Sequence, residues 1–174
     1  MASDFALLLR EPSTVTVAGV RIHIPYRPAA EWMRALTRLD ALAGALAARE
    51  ARDVLVELLM DHPDAYAQLR AESLRILGEA GGRKWWEVGR LLSTSAQPEI
   101  LGRLVLAGAD PWTRSVGEWC AATYALCVKG QDEKGRLKFD FSLSIPPQEF
   151  EDEWDDGDDP AVVLAGLAGL TGER

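Results

Sequence analysis

The spacing of apolar residues changes at Pro28. Before it, Thr14-Val15-Thr16-Val17 and Val20-Arg21-Ile22-His23-Ile24 alternate polar and apolar positions around the pair Ala18-Gly19. Alternation of period two, broken by a two-residue turn whose glycine accepts a positive φ, predicts a small β-hairpin. Its apolar face needs helices, or another subunit's sheet, to lie on. From Pro28 onward the period becomes helical. Trp32, Ala35, Leu36, Leu39, Leu42, Ala43 and Leu46 make one stripe reaching about Ala48. Val54, Leu55, Leu58 and Leu59 mark a second helix from Arg49. Tyr66, Leu69, Leu74 and Leu77 mark a third, which begins at Pro63 and stops at Gly81-Gly82. A fourth spans about Arg83 to Ser93, and a fifth runs from Pro98 to Gly108. The sixth carries Val116, Trp119, Cys120, Thr123, Tyr124 and Cys127 on one face, with Ser115 and Glu118 spaced as a capping box. After Gly130 the signals conflict. Leu137, Phe139, Phe141, Leu143 and Ile145 alternate like a strand, whereas the preceding charged run favours a helix weakened by Gly135. These patterns place Trp32, Trp85, Trp119 and Tyr124 in the core. Trp86, beside Trp85, must point elsewhere, and Trp112 falls in a loop.

Composition adds a tail to this picture. Between Glu149 and Asp159 stand eight acids and no base; 27 Asp plus Glu less these eight leaves 19, equal to the 19 Lys plus Arg. The net charge of -8 therefore resides in this block, and the remainder is neutral, without the basic stripe that nucleic acid requires. Eight acids in eleven positions repel one another and predict disorder. A short apolar patch, Val162, Val163, Leu164, Leu167 and Leu170, follows them. The expected organisation is an N-terminal segment with a β-hairpin (1–27), a helical domain (28–147) and an acidic flexible tail (148–174).

Chemistry is sparse. The segment from Gly78 to Lys84, GEAGGRK, lacks phosphate-loop spacing and has Trp where a metal-binding hydroxyl belongs. Cys120 and Cys127, about 10 Å apart along one helix, cannot bridge, and they read as small buried hydrophobes consistent with a reducing cytosol. His23 shares a strand face with Arg21 and reads as solvated, and His62 sits at a helix join. The DDGDD segment lacks the spacing and closing Glu of an EF-hand. No enzyme, cofactor or metal is expected. Asp4 before the short run FALLL leaves no signal peptide pattern, and no apolar run approaches a membrane span of about 20 residues.

Four segments in order carry a resemblance: WW-x-x-x-R-L-L at 85–92, LGRLVLAGADP at 101–111, SVGEWCAATYALC at 115–127 and DEKGRLKFDFSLSIPP at 132–147. Together they resemble the tail assembly chaperones of long-tailed, siphovirus-type phages of actinobacteria. The match spans roughly Lys84–Pro147. Ala109 and Cys120 stand where the family carries Val and Leu, and Gly135 falls within the family's helical "kfd" segment. The resemblance implies a non-enzymatic protein in the cytoplasm of the infected bacterial host, absent from the mature virion. It would bind and solubilise the tape measure protein and help recruit the tail-tube protein, beside a frameshifted longer form of itself. Nucleic acid and membrane are not expected partners. Residues offered for partner binding are Trp86, Trp112, Val162, Val163, Leu164, Leu167 and Leu170. The competing reading is a helical interaction module such as a small virion structural or adaptor protein. Either way the expected fold is mainly α, with about six helices, an N-terminal hairpin and a disordered acidic tail.

Overall fold

The computed structural model describes residues 13–148. They are mainly helical, with one two-stranded antiparallel hairpin, β1 (Ser13–Val17) and β2 (Val20–Ile24). Eight α-helices follow: α1 (Ala29–Ala35), α2 (Leu42–Leu46), α3 (Arg49–Asp61), α4 (Ala65–Gly81), α5 (Trp85–Ser95), α6 (Pro98–Leu106), α7 (Val116–Val128) and α8 (Glu133–Ser144). Two exceed the expected six. The stripe from Trp32 to Leu46 is broken into α1 and α2 by a 3-10 turn, Leu36–Ala41, with Arg38 at φ -133 and ψ 62. The segment after Gly130 forms α8. The predicted tail, with Val162, Val163, Leu164, Leu167 and Leu170, lies outside the described residues.

The chain divides into two compact units, residues up to Thr123 and residues from Tyr124 on, the division falling within α7. In the first unit the hairpin pairs Val17 with Val20 and Ser13 with Ile24. Ala18 (φ 49) and Gly19 (φ 78) both adopt the positive φ of the tight hairpin turn whose twist matches its strands. Val15, Val17, Ile22 and Ile24 are buried, and Arg21 and His23 face solvent, as the alternation requires. In this register Thr14 and Thr16 turn their backbone groups away from β2. Helix α4 receives them through residues at i, i+4 and i+7. Gln68 Oε1 accepts from the Ala18 amide at 2.7 Å, Glu72 Oε2 accepts from the Thr16 amide at 2.9 Å, and Arg75 donates to the Thr14 carbonyl at 2.6 Å. The exposed edge of a strand is thus closed by side chains rather than by a third strand.

The inner face of α4 buries Leu69, Ser73, Ile76 and Leu77. Ser73 is fully buried and satisfied twice. Its hydroxyl donates to the Leu69 carbonyl at 2.7 Å and accepts from the Ala43 amide at 3.0 Å, so α4 supplies the missing cap at the start of α2. Here lies the reason for the broken helix: ending α1 early brings Leu42, Ala43 and Leu46 onto α4, and Ser73 satisfies an amide that the break exposes. At the far end of α4, Gly82 (φ 63) closes the helix, with Arg83 donating to the Gly78 carbonyl. The GEAGGRK segment is the last turn of α4 followed by its cap at Gly82. Helix α5 crosses so close to Gly81 that a Cβ there would stand 2.3 Å from Val88 Cγ2.

A second buried hydroxyl joins α5 to α7. Ser95 Oγ accepts from Trp119 Nε1 at 2.8 Å and donates to the Leu92 carbonyl at 2.7 Å. Trp119 and Trp32 are buried as expected. The paired tryptophans are reversed: Trp86 is 4% exposed while Trp85 is only half-buried, its ring edge-on to Trp86 at 5.7 Å. Trp86 and Val88 lie about 200° apart around a helix, yet both are buried. The first turn of α5 is therefore covered on opposite sides, which a reading built on one buried stripe does not anticipate. Tyr66, assigned to the stripe of α4, is also on the surface.

In the second unit, Gly130 (φ 78) ends α7 and α8 begins at Asp132, whose carboxylate accepts from the Gly135 amide at 2.7 Å. A Cβ at 135 would sit 3.0 Å from that capping oxygen, so the glycine that weakens a helix interior here makes room for the cap. Tyr124 is half-buried rather than interior, because its hydroxyl reaches out to Asp140 Oδ1 at 2.7 Å. Its ring lies 5.8 Å from Phe139.

Two outcomes are expected. Gly81→Ala should cost about 1–3 kcal/mol through overpacking, and trimming Val88 to Ala in the same chain should recover part of the loss; equal denaturation midpoints for Gly81→Ala and the unaltered protein contradict the close approach. The second concerns pH. The Arg75 guanidinium holds the Glu72 carboxyl below its ordinary range, with the Thr16 amide adding to it against the opposing effect of partial burial. A lowered folded-state value means the carboxylate stabilises the fold fully above the unfolded-state value and loses this as pH falls through the folded one. The unaltered chain should therefore out-melt Glu72→Gln at pH 7, with the gap closing in acid. A gap that widens toward pH 3 rules the contact out as a stabiliser.

Candidate functional site

The loop between α6 and α7 carries Trp112, and α1 fixes that loop. A helix start leaves amides without partners. Ala29 donates to the Arg114 carbonyl at 2.9 Å and Ala30 to the Pro111 carbonyl at 3.0 Å, so the loop backbone caps α1. Within the loop, Asp110 Oδ1 accepts from the Trp112 amide at 3.0 Å. At its end, Ser115 and Glu118 form the predicted capping box: the Ser115 amide donates to Glu118 Oε2 at 2.9 Å and the Glu118 amide to Ser115 Oγ at 3.3 Å. Trp112 nevertheless stays 50% exposed, with the Arg34 guanidinium over its ring at 4.4 Å. A polar frame thus holds a large apolar ring at the surface.

Beside the ring lies a groove of about 310 Å³ lined by Glu31, Arg34, Ala35, Ala45, Leu46 and Trp112. Elsewhere in the same unit, large apolar side chains stand in solvent. Met60 is 82% exposed and Leu106 is 89% exposed, with Val56 near the first and Val105 near the second in sequence. Of thirteen residues in α3 only Leu55 is buried, and of nine in α6 only Leu104. Both helices thus leave large apolar side chains exposed.

Of the residues offered for partner binding, Trp112 lies on the surface beside the groove and Trp86 lies in the interior. Sequence reasoning missed the groove's other walls, because Arg34 is brought beside Trp112 by backbone bonds between α1 and the loop, and Leu46 reaches the same groove only after the break between α1 and α2. It also missed Met60 and Leu106. The signal available for these was that α3 and α6 carry more apolar residues than one stripe can bury.

Among the described residues no group of three or more His, Cys, Asp or Glu is placed to hold a metal ion. His23 and His62 are exposed. Both cysteines are free; burial pushes the Cys120 thiol up to about 12, against a small opposing effect of Arg83, and raises that of Cys127. Thiolate is the reactive form, so at pH 8 the native protein should label at Cys127 first and at Cys120 only on unfolding. Peptide mapping after brief alkylation tests this, and comparable labelling of both sites in the native protein refutes it. No helix among the described residues is long and apolar enough to cross a membrane. No protein-family model, characterised protein or solved structure matches this chain.

Proposed function

We propose that this chain is a tail assembly chaperone that binds the tape measure protein through apolar side chains held outside its own core. The observation that carries the reading is the set of large apolar side chains left in solvent, Met60 on α3, Leu106 on α6 and Trp112 beside the groove. It is supported by the resemblance of the residues from Lys84 to Pro147 to the phage chaperones. A client made of long apolar helices needs such a surface, together with a means of keeping the complexes apart. The eight acids between Glu149 and Asp159 supply the second by like-charge repulsion. Val162, Val163, Leu164, Leu167 and Leu170 add apolar contacts to the client or to a tail-tube subunit. The protein acts in the host cytoplasm and leaves before the tail is complete.

Co-expression with the tape measure protein of the same phage tests the reading. The full chain should hold the client in the soluble fraction and co-purify with it. A chain carrying Met60→Ser and Leu106→Ser, both at positions more than four-fifths exposed, should leave most of the client insoluble while melting as the unaltered chain does. Equal client solubility with and without the chain ends the proposal. Recovery of the chain from purified virions would favour a structural virion protein instead.

A further inference from the structure

The groove beside Trp112 lies in an excess of positive charge, although the chain as a whole has a net charge of -8. Arg34 lies over Trp112 and pairs with no carboxylate among the described residues. Arg27 and Arg52 converge on the carbonyls that end α2. Arg27 Nε donates to Leu46 O at 3.0 Å, Arg52 Nη2 to Ala45 O at 2.9 Å and Arg52 Nε to Ala47 O at 3.1 Å. Ala45 and Leu46 are themselves groove walls, so these contacts hold two further guanidinium groups close to it. The lining itself holds one cation, Arg34, and one carboxylate, Glu31, and Glu31 is paired with Arg27 at 3.2 Å, which leaves the charges of Arg34 and Arg52 in excess.

We propose that this groove docks an acidic amphipathic helix of a partner protein. An apolar anchor of that helix rests on Ala35, Ala45 and Leu46 against the Trp112 ring. Carboxylates one turn either side of the anchor meet Arg34 and Arg52. Three features of the site select this occupant. The floor is aliphatic and takes an apolar side chain. The rim carries an excess of guanidinium, which prefers planar carboxylates. The groove lies between helices and offers no sheet edge, so an arriving backbone must satisfy its own hydrogen bonds, as a helix does and an extended strand does not. The Trp112 loop is already tied to α1, so docking orders little that was free. Glu31 within the groove disfavours phosphate, and one aromatic ring provides no ladder for successive bases. The inference rests on the reading of the chain as a binder of helical clients, and deepens it by naming the client's chemistry.

The test uses the full chain and two fluorescently labelled 18-residue helical peptides. They share one leucine stripe; one flanks it with Glu and the other with Lys. By anisotropy at low salt, the Glu peptide should bind at least ten-fold more tightly than the Lys peptide, with the preference shrinking as salt is raised. Arg34→Glu should weaken the Glu peptide at least ten-fold and leave the Lys peptide no weaker. Arg103→Glu, on the exposed side of α6, should change neither. Trp112→Ala should weaken both; if that variant fails to fold, the Arg34→Glu comparison decides alone. Equal affinity for the two peptides, absence of binding, indifference to Arg34→Glu, or displacement of the Glu peptide by a 12-residue oligo-dT each overturns the proposal. A ten-fold Glu preference in a chain that does not solubilise the tape measure protein upholds the groove and removes only the broader reading.

Discussion

Backbone groups left without partners at the ends of short elements are the constraint on which the first unit depends. Its hairpin has a bare outer edge, α2 is a five-residue helix, and α1 is seven residues long. Such pieces cannot satisfy their own termini, and a buried amide without a partner costs about as much as a lost hydrogen bond. Most of the partners come from a distant part of the chain. Helix α4 closes the edge of β1 with Gln68, Glu72 and Arg75, and caps α2 with Ser73. The loop at Pro111 and Arg114 caps α1, while Arg27 and Arg52 take up the last carbonyls of α2. Helix α4 is therefore more than a packing surface. Its inner face contributes apolar area and its outer stripe contributes donors and acceptors, so the hairpin and α2 are held in orientation as well as buried.

The same constraint shapes the surface. Because carbonyls at 111 and 114 are committed to α1, the tryptophan between them is presented on a fixed frame instead of a free loop. Because Arg27 and Arg52 are committed to carbonyls of α2, positive charge gathers where two apolar walls meet. Contacts whose immediate role is to complete the backbone thereby set the chemistry of the groove. Helices α3 and α6 contribute differently. Each buries little and leaves Met60 or Leu106 in water.

Much of this was determined by the sequence alone, wherever a feature depends on residues close together in the chain. The hairpin follows from strict alternation around Ala18-Gly19, and its buried face from the same period. Several helix limits follow from Pro, Gly and the Ser115–Glu118 box, because at those ends the stop or cap lies within four residues of the helix. The fully buried Trp119 follows from a stripe on α7 that extends over two turns before the chain leaves the first unit. Tertiary structure alone decided what depends on residues far apart. The long stripe from Trp32 to Leu46 gives no hint of its break, since the amide that the break exposes is met by Ser73, thirty positions away. Alternation in α8 imitated a strand because it reports only that every second residue is apolar; the Asp132 cap and the room left by Gly135 settled the helix. Trp85 and Trp86 exchanged places because which ring is buried depends on what covers the start of α5, and periodicity records only the helix's own phase. The groove beside Trp112 could not be read in advance for the same reason: its walls come from α1, α2 and a loop more than sixty residues further on, joined through backbone hydrogen bonds that carry no side-chain signature.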